Sequence, residues 1–252
     1  MARTAVLGRL NWRLGTIREV VVETDRAATL HLDVDDWPGH LPGMHVDVRL
    51  TAEDGYQAER SYSIASAPDD RLLALTVERF DDGEVSPWMT EVAQAGDSFE
   101  LRGPVGGYFV WDDADRAPVL LVGGGSGVVP LMSMARHRTR RSIPTRMRLL
   151  YSARSQDDIL YRAELDKMAA AGDGFEVVYT FTRAPPASWT GYHRRVDGQM
   201  LADVSFGERM NSPAFVCGPT PFVEAVAQSL VLLGHAPGRV KTERFGPTGG
   251  SS

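Results

Sequence analysis

Val119-Leu120-Leu121-Val122-Gly123-Gly124-Gly125-Ser126-Gly127-Val128-Val129-Pro130 is an apolar run that breaks on four glycines within five positions. A buried strand reads this way, and the glycines let a tight turn carry the chain into a helix from about Pro130. Where side chains are missing, backbone can approach a pyrophosphate, and a helix start favours its negative charge. A plain strand–helix turn without a ligand is the alternative. The stretch departs from the fingerprint G-x-G-x-x-G, because Val128 stands in the third glycine's place.

The pattern continues downstream as strand Met147 to Tyr151, helix Asp157 to Ala170, strand Phe175 to Phe181, strand Ala214 to Cys217 and helix Phe222 to Leu233. Strands alternating with helices indicate a parallel sheet covered on both faces, a Rossmann-like α/β domain. Upstream the periodicity differs. Gly15 to Val22, Thr29 to Val34, His45 to Leu50, Glu59 to Ile64, Leu72 to Val77 and Ser98 to Arg102 read as six short strands. Turn signals such as Asp36-Trp37-Pro38-Gly39 and Asp81-Asp82-Gly83 separate them. This spacing suggests a small antiparallel barrel, interrupted by one helix near Pro87 to Ala93. The acidic stretch Asp112-Asp113-Ala114-Asp115-Arg116-Ala117-Pro118 is the expected boundary, dividing the chain into 1–113 and 114–252.

Bulk composition fits two domains: 252 residues are ample for units of about 100–150 each. A net charge of -6 argues against general nucleic-acid binding. No run approaches the ~20 apolar residues of a membrane span, and the first nine residues hold too short an apolar run for a secretory signal. A cytoplasmic location is the expectation. Cys217 is the only cysteine, so these residues supply neither an intrachain disulfide nor the ligands of a protein-bound iron–sulfur cluster. The six histidines lack ligand spacing, so no metal site is expected.

Arg60-Ser61-Tyr62-Ser63 falls on a strand. It groups a guanidinium suited to phosphate, an aromatic plane for stacking and a hydroxyl for a ring nitrogen. A strand with a buried Tyr and a solvated Arg is the plainer reading of the tetrapeptide alone. Gly83-Glu84-Val85-Ser86 runs into Pro87, with Ser86 placed as an N-cap and Pro87 at the first helical position. Opposite Arg60, such a helix start suits a pyrophosphate. Past the second parallel strand, Ser152 and Arg154 are met where a nucleotide ribose is read, and Arg183 follows the third. An Arg there suits a 2′-phosphate, whereas an acid suits a 2′-hydroxyl. The balance favours NADPH, with NADH open because Asp157 and Asp158 lie nearby; Ser155 and Asp158 also fit a helix cap. Cys217-Gly218-Pro219 ends an apolar strand at the carboxyl rim, where open-sheet ligands bind.

With these motifs in this order, the chain resembles the ferredoxin–NADP reductase superfamily of flavoproteins, specifically short bacterial members without a fused ferredoxin domain. The resemblance covers about Thr16 to Phe245. It implies an N-terminal Greek-key FAD-binding barrel followed by the NAD(P)-binding domain. Arg60, Tyr62 and Ser63 match the family's Arg-x-Tyr-Ser, implying Arg60 on the pyrophosphate, Tyr62 stacked on the isoalloxazine and Ser63 near flavin N5, with Ser61 between them. Gly83, Val85 and Ser86 look like the second phosphate loop. Val77 and Arg79 resemble the segment lining flavin and adenylate. Gly125, Ser126 and Gly127 are similar to the family's own nucleotide turn. Cys217, Gly218 and Pro219 match a motif lying over the nicotinamide. Glu243 and Phe245 resemble the terminal Glu-x-aromatic, in which the aromatic covers the flavin and the acid stabilises charge or relays protons. Seven residues follow Phe245, a departure that leaves a displaced cover open.

The implied activity is hydride transfer from NAD(P)H to FAD, with Ser63, Cys217 and Glu243 positioning and polarising the pair, then electron delivery to a separate carrier. With one cysteine here, that carrier is another protein, such as a ferredoxin or a Rieske-type oxygenase component. A diaphorase or flavin reductase serving diffusible acceptors is an alternative, and a non-catalytic flavin-holding subunit is another. Arg136-His137-Arg138-Thr139-Arg140-Arg141 either docks an acidic carrier or, the favoured reading, complements a helix macrodipole.

Overall fold

The computed structural model describes residues 10–245. Its first half holds six antiparallel strands: β1 (Trp12–Thr24), β2 (Ala27–Val34), β3 (His45–Thr51), β4 (Gln57–Ser63), β5 (Leu73–Glu78) and β6 (Ser98–Val105). They lie in the order β4-β3-β6-β1-β2-β5. An antiparallel bridge between Ile64 and Leu75 joins the two ends of the sheet into a barrel. Alternation along each strand fills it: Leu30 and Leu32 of β2, Val46 and Val48 of β3, and Leu75 and Val77 of β5 are fully buried in one core. All six strands expected from the sequence are present.

The second half is a parallel sheet of β7 (Val119–Gly124), β8 (Met147–Ser155), β9 (Phe175–Ala184), β10 (Ala214–Pro219) and β11 (Val240–Phe245). Its order is β11-β10-β7-β8-β9. Helices α1 (Val128–Arg140), α2 (Arg162–Ala170), α3 (Gly198–Val204) and α4 (Thr220–Leu232) cover it. Leu121, Leu149 and Phe215 pack with Leu131 and Met134 of α1 and Leu165 of α2. Leu120, Val122, Leu150 and Val216 pack on the other face with Leu201 of α3 and Val223 and Val226 of α4. Burial on both faces is why β7 reads as an unbroken apolar run.

Several elements differ from the sequence expectation. The helix expected at Asp157 begins at Arg162, because Asp158 turns back to accept from the Ser155 N–H at 2.9 Å and Tyr161 sits in the left-handed region at φ 57. Near Pro87 there is only a five-residue π-turn, Trp88–Val92, too short for a helix macrodipole. Ser86 does not cap it; its hydroxyl accepts from the Phe80 N–H at 3.1 Å and closes the loop. β8 and β9 run on to Ser155 and Ala184, so Arg183 stands on β9 rather than after it. Helix α3 and strand β11 are additional. Asp197 caps α3 by accepting from the Met200 N–H at 2.8 Å.

The basic run at the end of α1 is held within the chain, partly by its own half and partly by the barrel. Arg136 forks onto Glu164 at 3.0 and 2.6 Å and donates to the Ala65 carbonyl at 2.9 Å. Arg140 pairs with Asp70 at 2.9 Å and Arg141 with Asp69 at 3.1 Å. His137 meets Asp113 at 3.1 Å, and buried Arg138 holds Asp173 at 3.0 Å. Every basic side chain in the run therefore has an acidic partner within the chain, which argues against the carrier-docking reading. His137, Arg138 and Arg140 occupy the last turn of α1, as the macrodipole reading requires.

A buried polar ring adds to this interface. Tyr161 donates to Thr76, Thr76 and Thr29 meet at 2.7 Å, and Thr29 donates to Glu23 at 2.7 Å. Glu23 closes the ring by accepting from the Tyr161 N–H at 3.1 Å. Thr76→Val removes one member and leaves the buried Tyr161 hydroxyl unpartnered, for an expected loss of about 1–3 kcal/mol. Urea unfolding checks this, and an unchanged midpoint would show that the ring contributes nothing.

Candidate functional site

The site lies where the end of β4 meets the carboxyl rim of the parallel sheet. β10 and β11 pair in a register that sets Cys217 opposite Glu243 and Pro219 opposite Phe245. From the barrel, Ser63 donates to Glu243 at 3.4 Å across 180 residues of sequence. Burial pushes the Glu243 carboxyl up to about 7, partly offset by the Ser63 hydrogen bond. Burial first, and then the charge of Glu243, raise the Cys217 thiol well above its ordinary value, so it stays protonated near neutrality. The three residues read from the sequence as catalytic are thus one cluster. Phe245 packs partly buried against the neighbouring core. The seven residues beyond it lie outside the described residues.

Tyr62 is half-buried against the barrel core, and burial pushes its phenol up to about 12. Its side chain is therefore a neutral aromatic plate at working pH. Arg60 is half exposed; it donates to Glu84 at 2.7 Å and to the Glu59 carbonyl at 2.7 Å. That ion pair brings the Arg60 strand and the Gly83–Ser86 loop together. Gly83 is required for the loop's closure, since a Cβ there would stand 2.8 Å from the Ser86 hydroxyl and 2.9 Å from the Phe80 carbonyl. Among the described residues, the backbone N–H groups of Glu84, Val85 and Ser86 have no protein acceptor. A guanidinium with spare donors beside three such amides fits a pyrophosphate in donor chemistry.

Other expected cofactor residues have side chains engaged within the protein. Ser61 donates to Asp47 at 2.7 Å, and Arg102 holds the same carboxylate at 2.9 Å. That hydroxyl is engaged with an Asp–Arg pair rather than with Ser63 and Glu243. Val77 and Val85 are fully buried in the barrel core, where apolar packing claims their side chains. The Ser86 hydroxyl is likewise engaged with Phe80. Arg79 pairs with Asp81 at 3.1 Å and with Glu91. Glu84, which the sequence motif contains but to which no part was assigned, is the Arg60 partner. Its only local signal is its place between Gly83 and Val85.

The glycine turn meets the same rim. At Gly127 a Cβ would overlap the Cys217 carbonyl oxygen and stand 2.7 Å from the Gly218 nitrogen. Glycine there lets the turn press directly on β10. Gly125, at φ +55, has open space where its side chain would be, which suits close approach of a ligand to backbone. Ser126 lies in the same short 3₁₀ turn. Ser152 pairs with Gly124 in register and so borders the turn. Beyond it a bulge separates the Ala153–Phe181 and Ser155–Ala184 pairs, and Arg154 and Arg183 fall within that bulge on adjacent strands. Both are exposed and neither has an ion-pair partner among the described residues. Asp158 is committed to Ser155, with the hydroxyl donating at 2.5 Å, so this acid is tied to its own loop.

Comparison with known proteins agrees with this arrangement. Residues 16–110 match the oxidoreductase FAD-binding domain and residues 121–228 the oxidoreductase NAD-binding domain. The chain is 35% identical over 210 residues to the glycine betaine monooxygenase reductase subunit of Pseudomonas aeruginosa, covering 82% of this chain and 56% of that protein. It is 28% identical to the 2-halobenzoate 1,2-dioxygenase electron transfer component of Burkholderia cepacia, over 94% of this chain and 69% of that one. The chain thus spans little more than half the length of the first relative. Among solved structures, an Amycolatopsis cytochrome P450 reductase, GcoB, superposes with a TM-score of 0.82 at 26% identity, over 97% of this chain and 74% of that one. Two oxidoreductase domains in succession, on a barrel that feeds a parallel sheet, make this chain a member of the ferredoxin–NADP reductase superfamily.

Proposed function

We propose that this chain is an FAD-dependent NAD(P)H oxidoreductase that passes electrons to a separate redox carrier, a ferredoxin or a Rieske-type oxygenase component. The observation that carries the reading is the meeting of Ser63, from the barrel, with Glu243 and Cys217, from the sheet rim. FAD, when bound, supplies the conversion between two-electron chemistry with a nicotinamide and one-electron delivery to a carrier. The chain divides near residue 113 into a flavin-holding barrel and a nucleotide-holding sheet. Arg60 and the amides of Glu84–Ser86 hold the flavin pyrophosphate, Tyr62 stacks on the isoalloxazine, and Phe245 covers its other face. Gly125, Ser126 and Gly127 admit the nucleotide pyrophosphate. Gly218 and Pro219 border the nicotinamide, Glu243 balances charge on it, and the protonated Cys217 keeps that contact apolar.

Arg154 and Arg183 favour NADPH, because two exposed arginines at one bulge, neither with an acidic partner among the described residues, suit a dianionic 2′-phosphate. The named relatives include reductase and electron-transfer components of oxygenases, which supports a protein acceptor. No helix among the described residues is long and apolar enough to cross a membrane. A cytoplasmic setting, where reduced nicotinamide is available, fits the reaction.

The purified protein should be yellow and should bleach anaerobically with NADPH faster than with NADH. Arg154→Ala should raise the KM for NADPH roughly tenfold, the loss of one charge-assisted hydrogen bond, and leave NADH unchanged. A colourless protein that takes up no flavin would sink the function. Equal losses with both nucleotides would sink only the assignment of Arg154.

A further inference from the structure

We propose that Glu84 is a positioning residue that, with Tyr56, holds the Arg60 guanidinium ready for the flavin pyrophosphate. This rests on the placement of that pyrophosphate at Arg60 proposed above.

Three elements converge on one carboxylate. Tyr56, at the tip of the β3–β4 hairpin, donates to one Glu84 oxygen at 2.6 Å, and Arg60 donates to the other at 2.7 Å. Glu84 itself belongs to the loop carrying the unpartnered amides. Its carboxyl is held below the usual range, first by the Tyr56 hydrogen bond and then by Arg60, so it is ionised at neutral pH. A second contact, from Arg60 to the Glu59 carbonyl, fixes the opposite side of the fork. Of its five N–H donors, Arg60 therefore spends two within the protein and keeps three.

A free arginine side chain, among the richest in rotamers, gives up that freedom when it is fixed. Fixing it before the ligand arrives removes that cost from the binding step. Because Glu84 is part of the amide loop, the same ion pair also sets the distance between guanidinium and amides. The opposing effect is repulsion between the carboxylate and a phosphate. Glu84 is 46% exposed, and charges in contact with water repel one another only weakly. Positioning is the larger effect.

The test uses the deflavinated full chain and two probes, FAD and riboflavin, the second lacking both phosphates. Glu84→Ala should weaken FAD binding about tenfold, the loss of one charge-assisted contact, and leave riboflavin within twofold. Glu84→Gln keeps an acceptor for Tyr56 and should lose only about threefold, and Tyr56→Phe should fall in the same range. Unchanged or tighter FAD binding in Glu84→Ala would overturn the proposal, the latter meaning that the carboxylate competes with phosphate. Equal weakening toward riboflavin would also overturn it, because the effect would then be on the fold. Arg60→Ala separates the two levels of inference. If it weakens FAD while Glu84→Ala does not, only the role of Glu84 fails; if it leaves FAD binding intact, both fall together.

Discussion

Glu243→Gln is expected to lower turnover about 100-fold and to abolish the pH dependence of the parent near neutrality. In the parent, Glu243 ionises at about 7, so turnover should rise with pH through that value as the carboxylate becomes available to offset positive charge on the nicotinamide. The Gln variant has nothing to ionise and should give a flat profile. The effect on stability has the opposite sign. The folded-state value of about 7 lies above the ordinary 4.5, so the folded chain retains a proton that the unfolded chain releases. That stabilisation is complete below 4.5 and is lost as pH rises through 7. At pH 8 the buried charge costs stability, and Glu243→Gln should melt higher than the parent; at pH 5 the gap should close. Stopped-flow reduction across pH and thermal melts at the two pH values check both statements. A variant that kept the parental inflection would remove Glu243 from the chemistry.

Tyr62→Ala is expected to weaken flavin retention about 100-fold, the combined loss of ring burial and aromatic stacking. Unlike Glu84→Ala, it should weaken riboflavin and FAD alike, because the plane is lost rather than the phosphate contact. Tyr62→Phe should stay within about threefold of the parent, since the hydroxyl has no hydrogen-bond partner among the described residues and the phenol is neutral. Flavin content after gel filtration reads the result directly. Full occupancy in Tyr62→Ala would refute the stacking role.

Much of the architecture is legible along the chain because its signals are local. Six alternating strands, the apolar run at Val119–Val122 and the glycine turn each follow from a few neighbouring residues. Strand β11 is not legible in that way. Val240-Lys241-Thr242-Glu243-Arg244-Phe245 is mostly polar because it is an edge strand, paired only with β10. Helix α3 is only seven residues long, too brief for a clear period. The Arg136–Arg141 run looks the same in sequence whether its charges face a partner or the chain itself. What decides is that Asp70, Asp69 and the Ala65 carbonyl lie across the interface, with Glu164 beside Arg136 on α2. Ser86 reads as a helix cap until the short π-turn and the Phe80 contact give its hydroxyl another use.

The order of residues alone determines the two periodicities, the glycine positions that keep backbone open to phosphate, and the identities of Arg60, Tyr62, Cys217 and Glu243. Only tertiary structure decides that Ser63 reaches Glu243, that Cys217 stands opposite it, and that Arg154 and Arg183 share one bulge. The reason is physical. Strand periodicity sets which face a side chain takes, whereas register and domain packing set which distant side chains share that face, and these follow from burial summed over the whole chain.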